Sequence, residues 1–452
     1  MNSTREFDVA VVGASVAGCT AARLFAQSGA TVALIERRDD PAAFKVVCTH
    51  AILPPATPTI ERLGLAPLLI EHGVPRTGAE FWTPYGGWFG LPENVRGWGV
   101  TRRTLDPVLR DLAVNTPGVE FFPGRTARRI VADHARPAGV EVEDRARRTM
   151  AIRARLLVAA DGRNSTVARL AGVRGRVRPH NRFFYFSYWR GIRQASTRRG
   201  PSIRLWILDP DGAAQFPNED DLTVLVAAYH RSRLAEVRAD LEGSYMRAFA
   251  SLPDGPDLNN AERVSKLIGK LEVPNVMRPA ARPGIAFVGD AALATDPLFG
   301  VGLTFAFQSA EWLVDETSRA LGGAPELDQA LRRYRRKFAW RLGPHHMQIA
   351  DFSTARKTTQ LERLVLRKAT TDPALARAFG EVLTRERSPF SLFDPRITAR
   401  LFMPRLERTS DSMRPAGRGE DGARGAQSPG QQFSAEHQAR RHFGHRQADR
   451  RV

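Results

Sequence analysis

A chain of 452 residues with 42% hydrophobic and 25% charged side chains has the proportions of a globular protein, which excludes collagen-like, fibrous and wholly disordered classes and allows two or three domains. Lysine and arginine number 67 against 48 acidic residues, a formal charge of +19; with no dense basic run interleaved with aromatics, the surplus reads as charge spread over solvated faces and no nucleic-acid partner is expected. Two cysteines, Cys19 and Cys48, exclude a disulfide framework or a thiolate zinc cluster, no apolar run reaches the ~20 residues that span a bilayer, and the first residues lack a signal-peptide pattern, so a cytoplasmic location is expected.

The chain opens as a βαβ unit. Residues 7–12 are short, apolar and β-branched and predict a strand; 13–18 form a turn; 19–28 have helical spacing, stopped by Gly29; 31–35 predict a second strand. A helix is expected near 57–63. Residues 81–83 and 88–91, joined through Tyr85-Gly86-Gly87, predict a hairpin. A helix at 105–114 is followed by strands near 119–122, 127–131, 140–142 and 156–160. Residues 182–230 alternate aromatic and polar over short stretches and predict a second, mostly antiparallel sheet. A short buried strand at 284–288 precedes a chiefly helical part from Leu303 to about Phe379. Beyond Arg408 the composition turns to Gly, Ser, Gln, Arg and Asp, which predicts a disordered tail at 409–452.

Three motifs carry chemistry. Gly13-Ala14-Ser15-Val16-Ala17-Gly18 matches G-x-G-x-x-G except for Ser15 in the middle. Gly13 permits a tight turn, Gly18 lets the helix pack closely on the sheet, and the helix N-terminus offers free N–H groups to a pyrophosphate, with Ser15 small enough to donate its hydroxyl. Glu36, beside Arg37 at the end of the second strand, is placed to accept from ribose hydroxyls. Asp161-Gly162 with Ser165 gives A-x-D-G-x-x-S after a strand. Gly289-Asp290-Ala291-Ala292 follows another strand and leads into Asp296-Pro297-Leu298-Phe299-Gly300-Val301-Gly302.

In this order the three motifs resemble the flavin-dependent monooxygenases of the para-hydroxybenzoate-hydroxylase fold, a superfamily that also holds flavin-dependent halogenases and geranylgeranyl reductases. The resemblance covers roughly residues 5–400. It implies an α/β fold: a Rossmann-like FAD-binding domain (1–75, 98–180 and 275–330), an inserted, mostly antiparallel substrate domain (76–97 and 181–274) and a helical C-terminal part (331–408). Arg102-Arg103-Thr104-Leu105-Asp106 resembles the family's R-x-x-L-D helix start, which implies that Arg102 lies near the cofactor. Gly13, Ser15, Gly18 and Glu36 then hold the ADP half of FAD, Arg102 and Asp290 the linking phosphates and ribityl chain, and Pro297, Gly300, Val301 and Gly302 the flavin edge, with Asp161 supporting the domain. One departure stands in the middle motif: the family's Arg three residues after the Ser is Ala168 here, with Arg169 one later.

Only one Rossmann turn is credible, so a nicotinamide donor has no domain of its own. NAD(P)H docks transiently, or a separate flavin reductase supplies electrons. The halogenase motif W-x-W-x-I-P falls at 212–217, where Gly212 and Ala214 replace the tryptophans, and no lysine occurs between Lys45 and Lys266. A monooxygenase acting on a hydrophobic or aromatic small molecule, free or on a carrier protein, in a setting such as antibiotic biosynthesis, is the expected function. A reductase remains the alternative, because Cys48 stands in an early loop resembling that of the geranylgeranyl reductases. His50 is the one candidate acid or base. The aromatics at 183–189, with Trp82 and Trp88, are candidate pocket walls, and Arg190 and Arg204 candidate contacts for an anionic substrate. His345-His346 lacks carboxylates at ligand spacing, and no metal site is expected.

Overall fold

A computed structural model describes residues 3–134, 136–193 and 200–402; the expected tail at 409–452 lies outside them. The first sheet is parallel at its centre. Strands run in the order Ile285–Phe287, Thr149–Ala159, Ser3–Val12, Val32–Ile35 and Val119–Phe122, each parallel to its neighbour. Such strands are covered on both faces, and Val9–Val12 and Val32–Ile35 are accordingly continuous apolar runs with every side chain buried. Thr126–Asp133 and Arg136–Glu143 form an antiparallel hairpin against the first half of Thr149–Ala159.

Helix Val16–Gln27 begins inside the glycine motif, three residues earlier than its apolar spacing suggests. It packs against both Arg102–Val114 and Gly302–Thr317. The close approach depends on glycine. A Cβ on Gly18 would lie 1.7 Å from the Gly13 carbonyl oxygen, and Gly13 has φ +108° with Ala160 O at 2.5 Å from the place of its own Cβ.

The second sheet places Arg182–Arg190, Thr223–His230, Gly212–Pro217, Ser202–Ile207 and Arg76–Thr83 side by side, antiparallel except for the last pair. Its far edge is the short strand Gly97–Gly99 bridged to Ala51–Ile52, which ties the sheet to the loop after the βαβ unit. Alternation splits its side chains. Phe184, Phe186, Ala214, Phe216 and Val226 join the main core. Phe183, Tyr185, Trp189, Trp206 and Tyr229 face the other way, into a second core capped by Leu241–Ala250.

That split corrects the expected pocket wall. Trp82 and Trp88 pack against the second core, on the same side as Phe183, and Trp88 stands edge-on to Trp206. Arg204 lies there too, 4.0 Å from the Trp88 ring centroid and beside Glu80, and Arg190 is exposed. Of that strand's aromatics, Phe184, Phe186 and Tyr188 turn to the main-core side, together with buried Arg182, which lies beside Asp296 and Phe352.

Helices Gly302–Thr317, Ala324–Phe352, Gln360–Ala369, Pro373–Leu383 and Pro395–Phe402 complete the described chain. The helices therefore continue past Phe379, where the apolar spacing stops predicting them, and end within the expected helical part 331–408. The last helix hides only Leu401, so apolar content alone gives it little signal.

Candidate active site

Two helices begin, without a side-chain cap, at glycine-bearing loops: Val16–Gln27 after Ser15, and Gly302–Thr317 after Val301. The first N–H groups of a helix have no intrahelical acceptor, and the aligned peptide dipoles leave partial positive charge there. The two helices pack on each other near Gly289, where an added Cβ would approach Ala17 and Ala306 at 2.9 and 3.5 Å. One position stays open. Gly302 is exposed, and a Cβ there would meet nothing within 4 Å.

Around this pair of helix ends the expected cofactor residues converge. Glu36 accepts the Ala14 N–H at 2.8 Å and the Arg38 N–H at 3.1 Å, which holds its carboxylate over the turn. Arg37 is exposed and helps line a cleft of about 580 Å³ with Arg38, Phe44 and Arg145. Arg102 is buried; it pairs with Asp106 and donates to the Ser15 hydroxyl at 2.6 Å, so Ser15 already has a cationic neighbour at the helix end. Asp290 pairs with Lys45 at 2.9 Å. Burial alone would raise its pKa, but Lys45 and Arg163 hold it below the usual carboxylate range. Lys45 was not singled out from sequence; a lone lysine just ahead of Cys48, in a chain so rich in arginine, was the available signal.

The loop 36–50 has no helix or strand of its own. It is held by its contacts: Arg110 donates to Pro41 O and, at 2.6 Å, to Ala43 O, and the Lys45 N–H donates to Asp106 at 3.0 Å. Gly300, at φ +66°, faces this loop, with Thr49 and Ala51 each 3.4 Å from where its Cβ would sit. Pro297 opens the preceding turn, capped by Asp296, and Val301 is fully buried. Asp161 stands differently. Its two oxygens accept the Ser165 hydroxyl at 2.5 Å and the Val167 N–H at 3.0 Å, so it braces the start of the short helix Thr166–Leu170, whose cap is Ser165. Arg169 is exposed.

His50 sits with φ +60° and is almost wholly buried. The Arg102 N–H donates to its Nδ1 at 2.9 Å, which assigns the ring proton to Nε2, 2.6 Å from the Tyr188 hydroxyl. Burial, then the Arg102 charge, push its pKa down to about 3. A ring so placed is a hydrogen-bond donor to Tyr188 and stays neutral near pH 7. Burial raises the Tyr188 pKa, so Tyr188 remains a phenol. Cys48 lies within hydrogen-bond reach of Arg102, while Cys19 is buried in the helix–sheet contact, as expected.

The residues fit a flavin dinucleotide. Two uncapped helix ends suit a pyrophosphate and an electron-rich ring, an open glycine adjoins one of them, and Lys45, Arg102 and Glu36 supply charge of the right sign at the linker and ribose ends. Parallel sheet, glycine turn and second sheet together define an oxidoreductase scaffold for FAD. Residues 6–343 match the family model described as an FAD binding domain, and the chain belongs to that family, within the superfamily of FAD-dependent monooxygenases. It is 29% identical over 314 residues to a digeranylgeranylglycerophospholipid reductase of Methanopyrus kandleri, covering 67% of this chain and 77% of the relative. It is 28% identical over 382 residues to a kynurenine 3-monooxygenase of Salinispora arenicola, covering 78% and 80%. The myxobacterial chondrochloren halogenase CndH shares the fold, with TM-score 0.68 at 21% identity over 87% of this chain and 93% of that one.

Proposed function

We propose that this flavoprotein is a monooxygenase, a hydroxylase or epoxidase, acting on a hydrophobic or aromatic small molecule. The observation that carries this reading is the apolar packing around the 297–302 loop, where Phe216 lies 3.3 Å from the place of a Gly300 Cβ. Phe184, Phe186, Phe216, Leu298 and Phe299 belong to one apolar core, and the Tyr188–His50 pair adds polar atoms at its margin. FAD, when bound, supplies the redox chemistry: it accepts two electrons from NAD(P)H and activates O2.

The chain's own residues do the rest. Gly13, Ser15, Gly18, Glu36, Arg37, Lys45, Arg102 and Asp290 bind the dinucleotide, with Asp161 bracing the domain. Pro297, Gly300, Val301 and Gly302 place its ring edge at a helix N-terminus, which favours the negative charge of the reduced state. The aromatic wall excludes water. His50 holds the Tyr188 hydroxyl, leaving the phenol proton free to be donated at Oη. His50 thus acts as a positioning residue in place of the base expected from sequence. The division into cofactor domain, inserted sheet domain and helical region belongs to the same reading, as do a transient NAD(P)H or a separate flavin reductase, and a free or carrier-bound substrate.

A halogenase lacks support. Gly212 and Ala214 stand where that branch has tryptophans, and the one lysine near the cradle is engaged by Asp290. The reductase reading keeps one observation in its favour, Cys48 beside Arg102. Mixing the FAD-loaded protein with NADPH separates the two. Rapid oxidation with uptake of O2 and release of peroxide is expected. Anaerobic reoxidation of the NADPH-reduced protein by a prenyl alkene, with two electrons and two protons saturating its double bond, would replace the oxygenase with the reductase.

A further inference from the structure

We propose that Arg385 is the anchor for a carboxylate on the substrate, an inference that rests on the oxidoreductase reading of the site. Arg385 follows helix Pro373–Leu383 and is 5% exposed. Its guanidinium stands 5.1 Å from the centroid of Phe299, the residue before Gly300. Phe299 in turn meets Phe352 edge-on at 5.3 Å. The cation is therefore one side chain away from the loop that takes the flavin edge.

Its hydrogen bonds are lopsided. Nη1 donates to Gln348 Oε1 at 2.6 Å and to Val382 O at 3.3 Å. Nε and Nη2 have no partner and are shielded from solvent. These two atoms form one edge of the planar guanidinium, the edge that matches both oxygens of a carboxylate at once. Among the described residues no acid is paired with it. Glu381, the acid one turn back, is engaged by Arg377 at 2.7 Å and Arg387 at 2.8 Å. Burial alone pushes the Arg385 pKa down, to about 9, so the group is charged at neutral pH. His345 stands on the helix turn before Gln348; it is 4% exposed, its Nδ1 is also unpartnered, and it feels the Arg385 charge.

A buried cation without a counter-charge is costly, and proteins seldom keep one for packing. Here Gln348 fixes its orientation, Phe299 lies against its face, and the two-pronged edge is left over. A hydrophobic substrate bearing one carboxylate supplies the missing pair of acceptors, with His345 Nδ1 as a further donor. Because the edge is closed to solvent, the acid enters by displacing a neighbouring side chain, and the ion pair forms out of water, where it discriminates strongly against an uncharged analogue.

The test titrates FAD-loaded protein with benzoate, phenylacetate, indole-3-acetate and decanoate, each against its primary amide, following the visible flavin spectrum. At least one acid is expected to bind ten or more times more tightly than its amide. In Arg385→Gln that ratio falls to near one with FAD content unchanged, and Arg385→Lys, which keeps the charge but loses the fork, lies between. Arg385→Gln also melts at a higher temperature than the unliganded parent, where an arginine retained for packing gives a lower one. A ratio near one in the parent protein, or an unchanged ratio in Arg385→Gln, overturns the proposal. Failure to take up FAD at all would sink the oxidoreductase reading instead.

Discussion

Gly18 and Gly302 share the cofactor cradle in the proposed reading, yet their substitutions should part company. A Cβ on Gly18 lands 1.7 Å from a backbone oxygen, and nothing flexible can yield; at Gly302 a Cβ meets open space. Gly18→Ala is expected to give little folded protein and no bound FAD. Gly302→Ala should fold with an unchanged melting curve and hold FAD about tenfold less tightly, a loss of roughly 1.4 kcal/mol, if the ring lies against that position. Equal FAD affinity in Gly302→Ala would remove Gly302 from the cradle. Glycine spacing was legible in sequence because each glycine answers a local backbone need. The Lys45–Asp290 and Arg385–Phe299 contacts were not, since they join residues 245 and 86 positions apart.

The strand Arg182–Arg190 serves two layers, and substitutions along it should alternate in effect. Phe183, stacked at 5.4 Å on Tyr229 in the second core, is far from the cradle in function if not in sequence. Phe183→Ala should cost about 3–5 kcal/mol of stability and leave the flavin spectrum unaltered. Tyr188→Phe removes a part-buried hydroxyl and leaves the buried His50 Nε2–H without its acceptor; it should cost about 1–3 kcal/mol while slowing turnover tenfold or more. Denaturant melts and steady-state rates on both variants check the pattern; a Tyr188→Phe enzyme of full activity would dismiss the phenol from the reaction. The period of two was visible in the sequence, but which phase faces the cofactor was not, because both faces of this sheet are buried and apolar. His50 shows the same limit. Its place in the loop after the second strand was legible, but its hydrogen bonding depended on an N–H from Arg102, 52 residues away.

Across the whole molecule, buried neutral histidines set an acid limit. His50 and His345 have pKa values pushed down to about 3, and His346 to about 4, by burial and by Arg102, Arg385 and Arg178 respectively. In the unfolded chain each titrates near the ordinary imidazole value of 6.5. Below that pH the unfolded state binds protons that the native state refuses, so stability is full above about 6.5 and falls as pH drops toward the folded values. Each contributes a loss of about 1.4 kcal/mol at one pH unit below its unfolded pKa, roughly 4 kcal/mol for the three at pH 5.5. Urea midpoints at pH 7.5 and 5.5 measure it, and coincident midpoints would show that these rings are hydrated or protonated in the native state. The lowered carboxylates Asp290 and Asp296 act in a separate, more acidic window. Fold class was legible throughout, because a βαβ opening, alternating strands and a helical end each announce themselves locally. The C-terminal groups that border Phe299 had no motif to mark them.

The loop 36–50 carries Arg37 and Arg38, both exposed, and Lys45, half exposed, on backbone pinned by a handful of hydrogen bonds and no strand. It is therefore the natural place for a trypsin nick. Colourless preparations should be clipped there first, and yellow ones spared, so that storage life and proteolytic fingerprint become a simple gauge of how fully a batch is loaded.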